Sequence, residues 1–264
     1  MLLQEGATSR QLGKARKFLT ANPVFNVLPL GDTYAPLLAV SKLFLATERT
    51  AVTGVCSLYH PFNRKPSVAL STATPETKKA LLNVALRQVS GEFITLCGHD
   101  EVEAVKAYAA VLNLEIELQM VANPPKHLRS NVKVSRVRKK DVEELDRFYS
   151  EQDSRAWTPL QFKVGPFYCV KRNGKIVSAA GTHLKTPQIA HLGSIATSEA
   201  YQRQGFAAAC TSALALDLAS KGRIISLFVK SDNKPAIGMY EKLGFKKIRE
   251  IAFITARKDY RGSA

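Results

Sequence analysis

Residues 202–207 read Gln202-Arg203-Gln204-Gly205-Phe206-Ala207, and residues 229–245 run from Val229 through Asn233, Ala236 and Tyr240 to Gly244-Phe245. The first stretch joins an apolar, strand-like run at 188–197 to a helical run at 204–221, rich in Ala and Leu and stopped by Gly222. A glycine at a strand–helix junction lets backbone approach a ligand closely. The free N–H groups of the helix's first turn then face outward, and the helix dipole favours an anion there. A pyrophosphate satisfies both conditions. In the second stretch a β-branched run at 223–229 leads into a short helix at 234–243, closed by Gly244. Positions 233, 236, 237 and 240 share one face of that helix, so Tyr240 looks the same way as the helix start.

Working outward, 166–171 and 175–184 are apolar runs around Arg172-Asn173-Gly174, a hairpin signal. Residues 132–137 alternate apolar with basic, as a half-buried strand does, and Asp141 can cap a helix carrying Val142, Leu145, Phe148 and Tyr149. A last strand is expected at 245–256. The first half repeats the cadence, with strands at 43–47, 51–59 and 68–71, a helix at 75–89, a strand at 93–97, a helix at 102–112 and a strand at 114–121. The double proline Pro124-Pro125 suits neither a helix interior nor a central strand. The expected division is therefore one lobe over 1–125 and a second over 131–264, each mixed α/β. An internal duplication would explain the repeated order.

The chain of 264 residues is 45% hydrophobic and 23% charged, the composition of a folded protein with a sizeable core. Its net charge of +16 attracts polyanions. Arg129, Lys133, Arg136, Arg138, Lys139 and Lys140 concentrate that charge after the double proline. Cys56, Cys97, Cys169 and Cys210 lie far apart among apolar or small neighbours, without metal-ligand spacing, so no metal site or disulfide framework is expected. No apolar run approaches the ~20 residues that span a bilayer, and the first 14 residues lack a signal-peptide core. A cytoplasmic protein without membrane contact is the expectation.

Gln202 to Ala207 matches the Q/R-x-x-G-x-G/A signature of the GNAT acetyltransferase superfamily, and Val229 to Phe245 resembles that family's V-x-x-x-N-x-x-A-x-x-x-Y-x-x-x-G-F segment at every position. The second half is similar to FR47-like and glycine-N-acyltransferase-like members, and Asn22 to Asp32 resembles a segment near the start of two-lobed GNAT proteins. The resemblance implies a mixed, mostly antiparallel sheet flanked by helices, built as two tandem lobes with a degenerate first one. It implies acetyl-CoA as co-substrate, its phosphates on Gln202, Arg203, Gln204, Gly205, Phe206, Ala207 and Ala208. The backbone of Ile195, Ala196 and Thr197 would meet the acetyl carbonyl and pantetheine, Asn233 and Ala236 would flank the arm, and Tyr240 would be general acid to the leaving thiolate.

Histone-type members carry a Glu eleven residues before the Q/R of the signature; here that position is His191, the candidate general base. His183, Glu151, Asp153 and Glu199 are lesser candidates. Residues 146–165 correspond to the segment that shapes the acceptor pocket in the family, and Trp157 within it either floors that pocket or packs on the sheet. The first half has no such turn, because Pro75 stands where the cradle would need an N–H. The expected activity is direct acetyl transfer to an amine on a small molecule, amino acid, peptide or protein, by a monomer or homodimer. Two alternatives stay open: a non-catalytic acyl-CoA-binding regulator, and an acyltransferase for a nucleic-acid-associated protein.

Overall fold

A computed structural model describes residues 1–258 apart from 7, 63, 99–100, 153 and 155–156. The chain forms two compact units, residues 1–117 with 250–264, and residues 118–249.

In the first unit the strands are β1 (Leu2–Glu5), β2 (Ser41–Glu48), β3 (Ala51–Tyr59), β4 (Ser67–Thr72) and β5 (Gly91–Cys97). The helices are α1 (Ser9–Leu19), α2 (Val27–Gly31), α3 (Pro75–Leu86) and α4 (Val102–Lys106). β1 to β4 pair antiparallel in sequence order, and β4 runs parallel to β5. Phe44, Cys56, Val68 and Phe93 from the strands bury against Leu81, Leu82, Ala85 and Leu86 of α3. α1, absent from the sequence expectation, starts on a reciprocal cap: Thr8 Oγ1 accepts from Gln11 N, and Thr8 N donates to Gln11 Oε1 at 2.8 Å. The helix expected over 102–112 ends at Lys106, because 110–122 extend as β6 (Ala110–Ala122). Val111 and Leu112 suit either state, and sheet pairing decides.

The second unit holds β7 (Ser135–Arg136), α5 (Val142–Glu151), α6 (Pro159–Val164), β8 (Phe167–Arg172), β9 (Lys175–Lys185), β10 (Ile189–Thr197), α7 (Phe206–Ala219), β11 (Ile224–Lys230), α8 (Lys234–Lys242) and the start of β12 (Lys246–Lys258). β7, β8, β9 and β10 are antiparallel neighbours, and β11 joins β10 in parallel. The β8–β9 hairpin turns through Asn173 at φ 50° and Gly174 at φ 78°, the left-handed pair that a two-residue turn demands. β8 and β9 are covered on both faces, which is why they read as continuous apolar runs. Val170, Val177 and Ala180 pack with α7 and α8, whereas Cys169, Ile176 and Ala179 pack with Leu145, Phe148, Tyr149 and Trp157. Leu118, Met120 and Ala122 of β6 complete the α7 side.

The sequence reading gives the whole of 131–264 to one lobe. In the structure residues 252–258 of β12 pair antiparallel with 91–97 of β5, so the chain's last strand finishes the first unit's sheet. A strand's partner is set by which edge is open, and 13 apolar-alternating residues do not name it. All four cysteines are buried and free.

Asp32 is buried beneath β3, where its Oδ2 accepts from Ser57 Oγ at 2.6 Å. Burial pushes this carboxyl up to about 7, with the serine pulling it part of the way back. Its folded value lies above the unfolded one, so the protonated form favours folding below pH 4, and that contribution is lost as pH rises towards 7. Denaturant unfolding between pH 4 and 7 should show stability falling by up to about 1.4 kcal/mol per pH unit, and Asp32→Asn should flatten the slope. An unchanged slope in Asp32→Asn would remove this carboxyl from the pH response.

Candidate functional site

β10 and β11 pair from Ile189↔Ile224 to Leu192↔Leu227 and then part, although β10 runs on to Thr197 and β11 to Lys230. The cause lies on β10's other edge. Its register against β9 shifts between Gly193 and Ala196, and Ser194 takes φ 51°, a bulge that turns the strand away from β11. Past the bulge Ala196 and Thr197 hold to Ala179 and Ser178 of β9. Ser178 Oγ donates to Ala196 O at 3.1 Å and lies 2.8 Å from Thr197 Oγ1. From beneath, the buried Tyr149 hydroxyl donates to Ser194 O at 2.6 Å. Burial holds that phenol well above its usual range, so it remains a donor.

Alternate residues of an edge strand turn N–H and C=O away from the paired neighbour. In the opened wedge, β10 therefore presents backbone groups from 195–197 towards β11's free end. The chain then passes through a short 3-10 turn (Glu199–Tyr201) into 202–205, all exposed. Arg203 at φ 61° and Gly205 at φ 76° are both left-handed, and a Cβ placed on Gly205 would meet open space. Gly205 caps α7 without a side-chain hydrogen bond, so the amides of Phe206, Ala207 and Ala208 point outward, free of a capping side chain. Phe206 anchors the turn in the core, with the Arg172 guanidinium 4.6 Å from its ring centroid.

α8 closes the other side. Asn233 Oδ1 accepts from Ala236 N at 3.2 Å, so the asparagine is the helix cap, with Pro235 in the first turn. Tyr240 is 6% exposed in the same cluster as Leu192, Phe206 and Val229, against which Ile195 and Ala236 pack. Burial pushes its phenol far up, which keeps it protonated.

His191 lies before the bulge, opposite Ser226, where β10 and β11 are still paired. It is 3% exposed, its Nδ1 sits 2.9 Å from Ser226 Oγ and its ring lies 4.4 Å from Phe228. Burial, then the neighbouring His183, holds it well below its usual range, hence neutral. Glu151 and Glu199 are exposed, and Asp153 lies outside the described residues. Trp157 is 2% exposed between Tyr149 and Phe167 and donates to Asp146 Oδ1 at 2.8 Å, so it packs on the sheet. Cys210 is buried in α7 with its thiol pushed up to about 12, no nucleophile at neutral pH. Among the described residues no three His, Cys, Asp or Glu side chains cluster as metal ligands, and no helix is long and apolar enough to cross a membrane.

Sequence reasoning passed over Gly193-Ser194 and Ser178, which shape the wedge, and placed Tyr149 on a helix face without its bond to Ser194. A glycine inside a strand run is the one signal that marks a bulge. The first unit repeats the parting but not the cradle. β4 and β5 pair only at Ser67↔Ile94 and Val68↔Thr95. At the start of α3, however, Pro75 has no N–H and Thr74 Oγ1 accepts the Thr77 amide, which leaves few donors for an anion.

Residues 171–254 match the family model described as FR47-like protein. No curated protein matches the chain. Among solved structures, a GNAT-family protein of Novosphingobium aromaticivorans superposes with TM-score 0.65 at 20% identity, covering 88% of this chain and 96% of its own. A Drosophila protein gives 0.70 at 13%, covering 96% and 98%. A tandem GNAT protein from the clavulanic acid biosynthesis pathway gives 0.61 at 13%, covering 99% and 100%. The chain thus has the two-lobed GNAT fold, with an FR47-like segment spanning the wedge, the turn and both flanking helices.

Tyr149→Phe should leave the Ser194 carbonyl without its buried donor and cost about 1–3 kcal/mol. Chemical denaturation measures the loss, and an unchanged midpoint would show that the bulge needs no brace.

Proposed function

We propose that the second unit binds acetyl-CoA in the β10–β11 wedge and transfers the acetyl group to an amine. One observation carries the reading: parallel strands part beside a left-handed, glycine-containing turn whose helix offers amides that no side chain caps. Those amides, with Arg203, suit the pyrophosphate, because a helix N-terminus concentrates N–H donors and positive potential. The absence of a Cβ at Gly205 leaves the approach open. The backbone of 195–197, past the end of pairing with β11, suits the amide-bearing arm, and an N–H there would polarise the acyl carbonyl. When bound, the co-substrate supplies an activated thioester. Tyr240 keeps a proton available at neutral pH, the state a general acid needs when a thiolate departs.

Asn233 acts through α8: by capping the helix it sets the direction in which Tyr240 projects. His191 is sealed in the paired part of the strands and neutral, so we assign it to bracing β10 on β11, and the amine's proton leaves by water.

Calorimetric titration with acetyl-CoA should show saturable binding, abolished in Gly205→Glu, whose side chain adds bulk and negative charge at the anion site. Normal binding by that variant would place the cofactor elsewhere, and no binding by the folded wild type would leave the wedge a relic of the fold. Tyr240→Phe should bind acetyl-CoA within about twofold of wild type yet acetylate amines about 10²–10⁴-fold more slowly. An unaltered rate would remove the phenol from the chemistry.

A further inference from the structure

A second ligand surface lies in the same unit, remote from the wedge. Arg136 of β7, Lys163 of α6, Lys185 at the end of β9, and Lys221 and Arg223 between α7 and β11 converge on one groove of ≈ 350 Å³. Five cations from four segments gather here, and only one of them has an acid mate among the described ion pairs. Asp217 is engaged by Lys221 at 3.0 Å. Burial, then Arg223, Lys221 and Arg136, hold Lys185 below its usual range, with Asp217 pulling it part of the way back. Arg223 Nε donates to Thr186 O at 2.8 Å, which fixes the guanidinium, while its buried Nη1 has no hydrogen-bond partner among the described residues. A buried donor without a partner is costly unless a ligand supplies the acceptor.

The groove is not the cofactor cradle. It opens at the C-terminal end of α7, whereas Gly205 stands at the N-terminal end, and 14 residues at ~1.5 Å each separate the two by about 21 Å. Nor is it sized for one phosphate. Arg136 also walls an adjoining groove of ≈ 350 Å³ that adds Arg138, Lys140 and Lys171. There Lys171 is engaged by Asp141 and Glu144, and the other cations have no such mate among the described ion pairs. The two grooves share Arg136 as a wall, and together they present a basic track. The first groove has an apolar floor, with Val137, Pro166, Leu218 and the partly buried ring of Phe162, which packs against Phe167. Cations along a groove with an aromatic floor suit a chain of phosphates whose bases can stack, and a polycarboxylate makes no use of the ring.

We propose that this track binds the backbone of a single-stranded polynucleotide, docked apart from the transfer site. The test uses the full chain and a fluorescein-labelled oligouridylate of about 12 nucleotides, within the span of one single-strand site, read by anisotropy over a series of salt concentrations. At about 100 mM salt the wild type should bind, and Arg136→Glu/Lys163→Glu should bind about tenfold more weakly. The log–log salt slope should fall by about 1.4, at roughly 0.7 for each phosphate of a single strand that is no longer neutralised. Both residues are exposed, and the neutral pair Arg136→Gln/Lys163→Gln should give an intermediate loss without risk to folding. Arg10→Glu/Lys17→Glu on α1 changes net charge equally at exposed sites of the other unit and should stay within about twofold of wild type. Equal weakening by both double variants would reduce the effect to net charge and overturn the proposal. So would absence of binding at that salt concentration, or competition by polyglutamate as strong as by unlabelled oligonucleotide. Acetyl-CoA affinity should not change in Arg136→Glu/Lys163→Glu; a parallel loss would place the track within the cofactor site and overturn the separation.

Discussion

The hydrogen bond from Tyr149 to the Ser194 carbonyl, with the β10 bulge it braces, is the constraint on which the rest of the second unit depends. Parallel strands normally stay in register because every backbone group gains a partner. β10 gives up its partners on β11 after Leu192, and the cost of bare backbone must be offset locally. Ser178 offsets part of it by binding Ala196 and Thr197 from the β9 side, and the left-handed Ser194 redirects the strand. What remains is a stretch of β10 past Leu192 whose edge towards β11 is no longer paired with it. A ligand with amides of its own is the natural complement.

Burial then sorts the titratable groups around the wedge by what they can do. Tyr149, Tyr240 and Cys210 are all held in their protonated forms, so Tyr149 can brace, Tyr240 can donate and Cys210 stays inert. His191 is held neutral by the same desolvation and shielded between Ser226 and Phe228. Hydrophobic packing here selects proton inventory as well as stability. The positive charge follows a different logic. Arg203 stands at the turn, but Arg136, Lys163, Lys185, Lys221 and Arg223 collect at the far end of α7. Attraction of an anionic co-substrate does not account for that placement, whereas a second, longer anion does.

The two units share one element order and differ at one helix start. β2-β3-β4-α3-β5-α4-β6 repeats as β8-β9-β10-α7-β11-α8-β12. Both inner strand pairs part after a few residues. At the helix start, Gly205 leaves amides outward, whereas Pro75 and the Thr74 cap consume them. A single turn separates a helix start with outward amides from an ordinary one.

Local chemistry was legible in the residues themselves. Gln202 to Ala207 specified a glycine-containing turn opening a helix, Asn173-Gly174 a hairpin, and the spacing from Asn233 to Tyr240 one helix face, because such features depend on conformations within a few bonds. The strands other than β1 and most helices were legible for the same reason. What only the tertiary structure decided was pairing and depth. No local rule sends 252–258 to β5, ends the helix at Lys106 or starts α6 at Pro159. Nothing in a lone histidine on a strand tells that Ser226 and Phe228 will enclose it, or that a tyrosine 45 residues before Ser194 will hold its carbonyl. Those outcomes depend on neighbours distant in sequence, and desolvation exists only once the chain has brought them together.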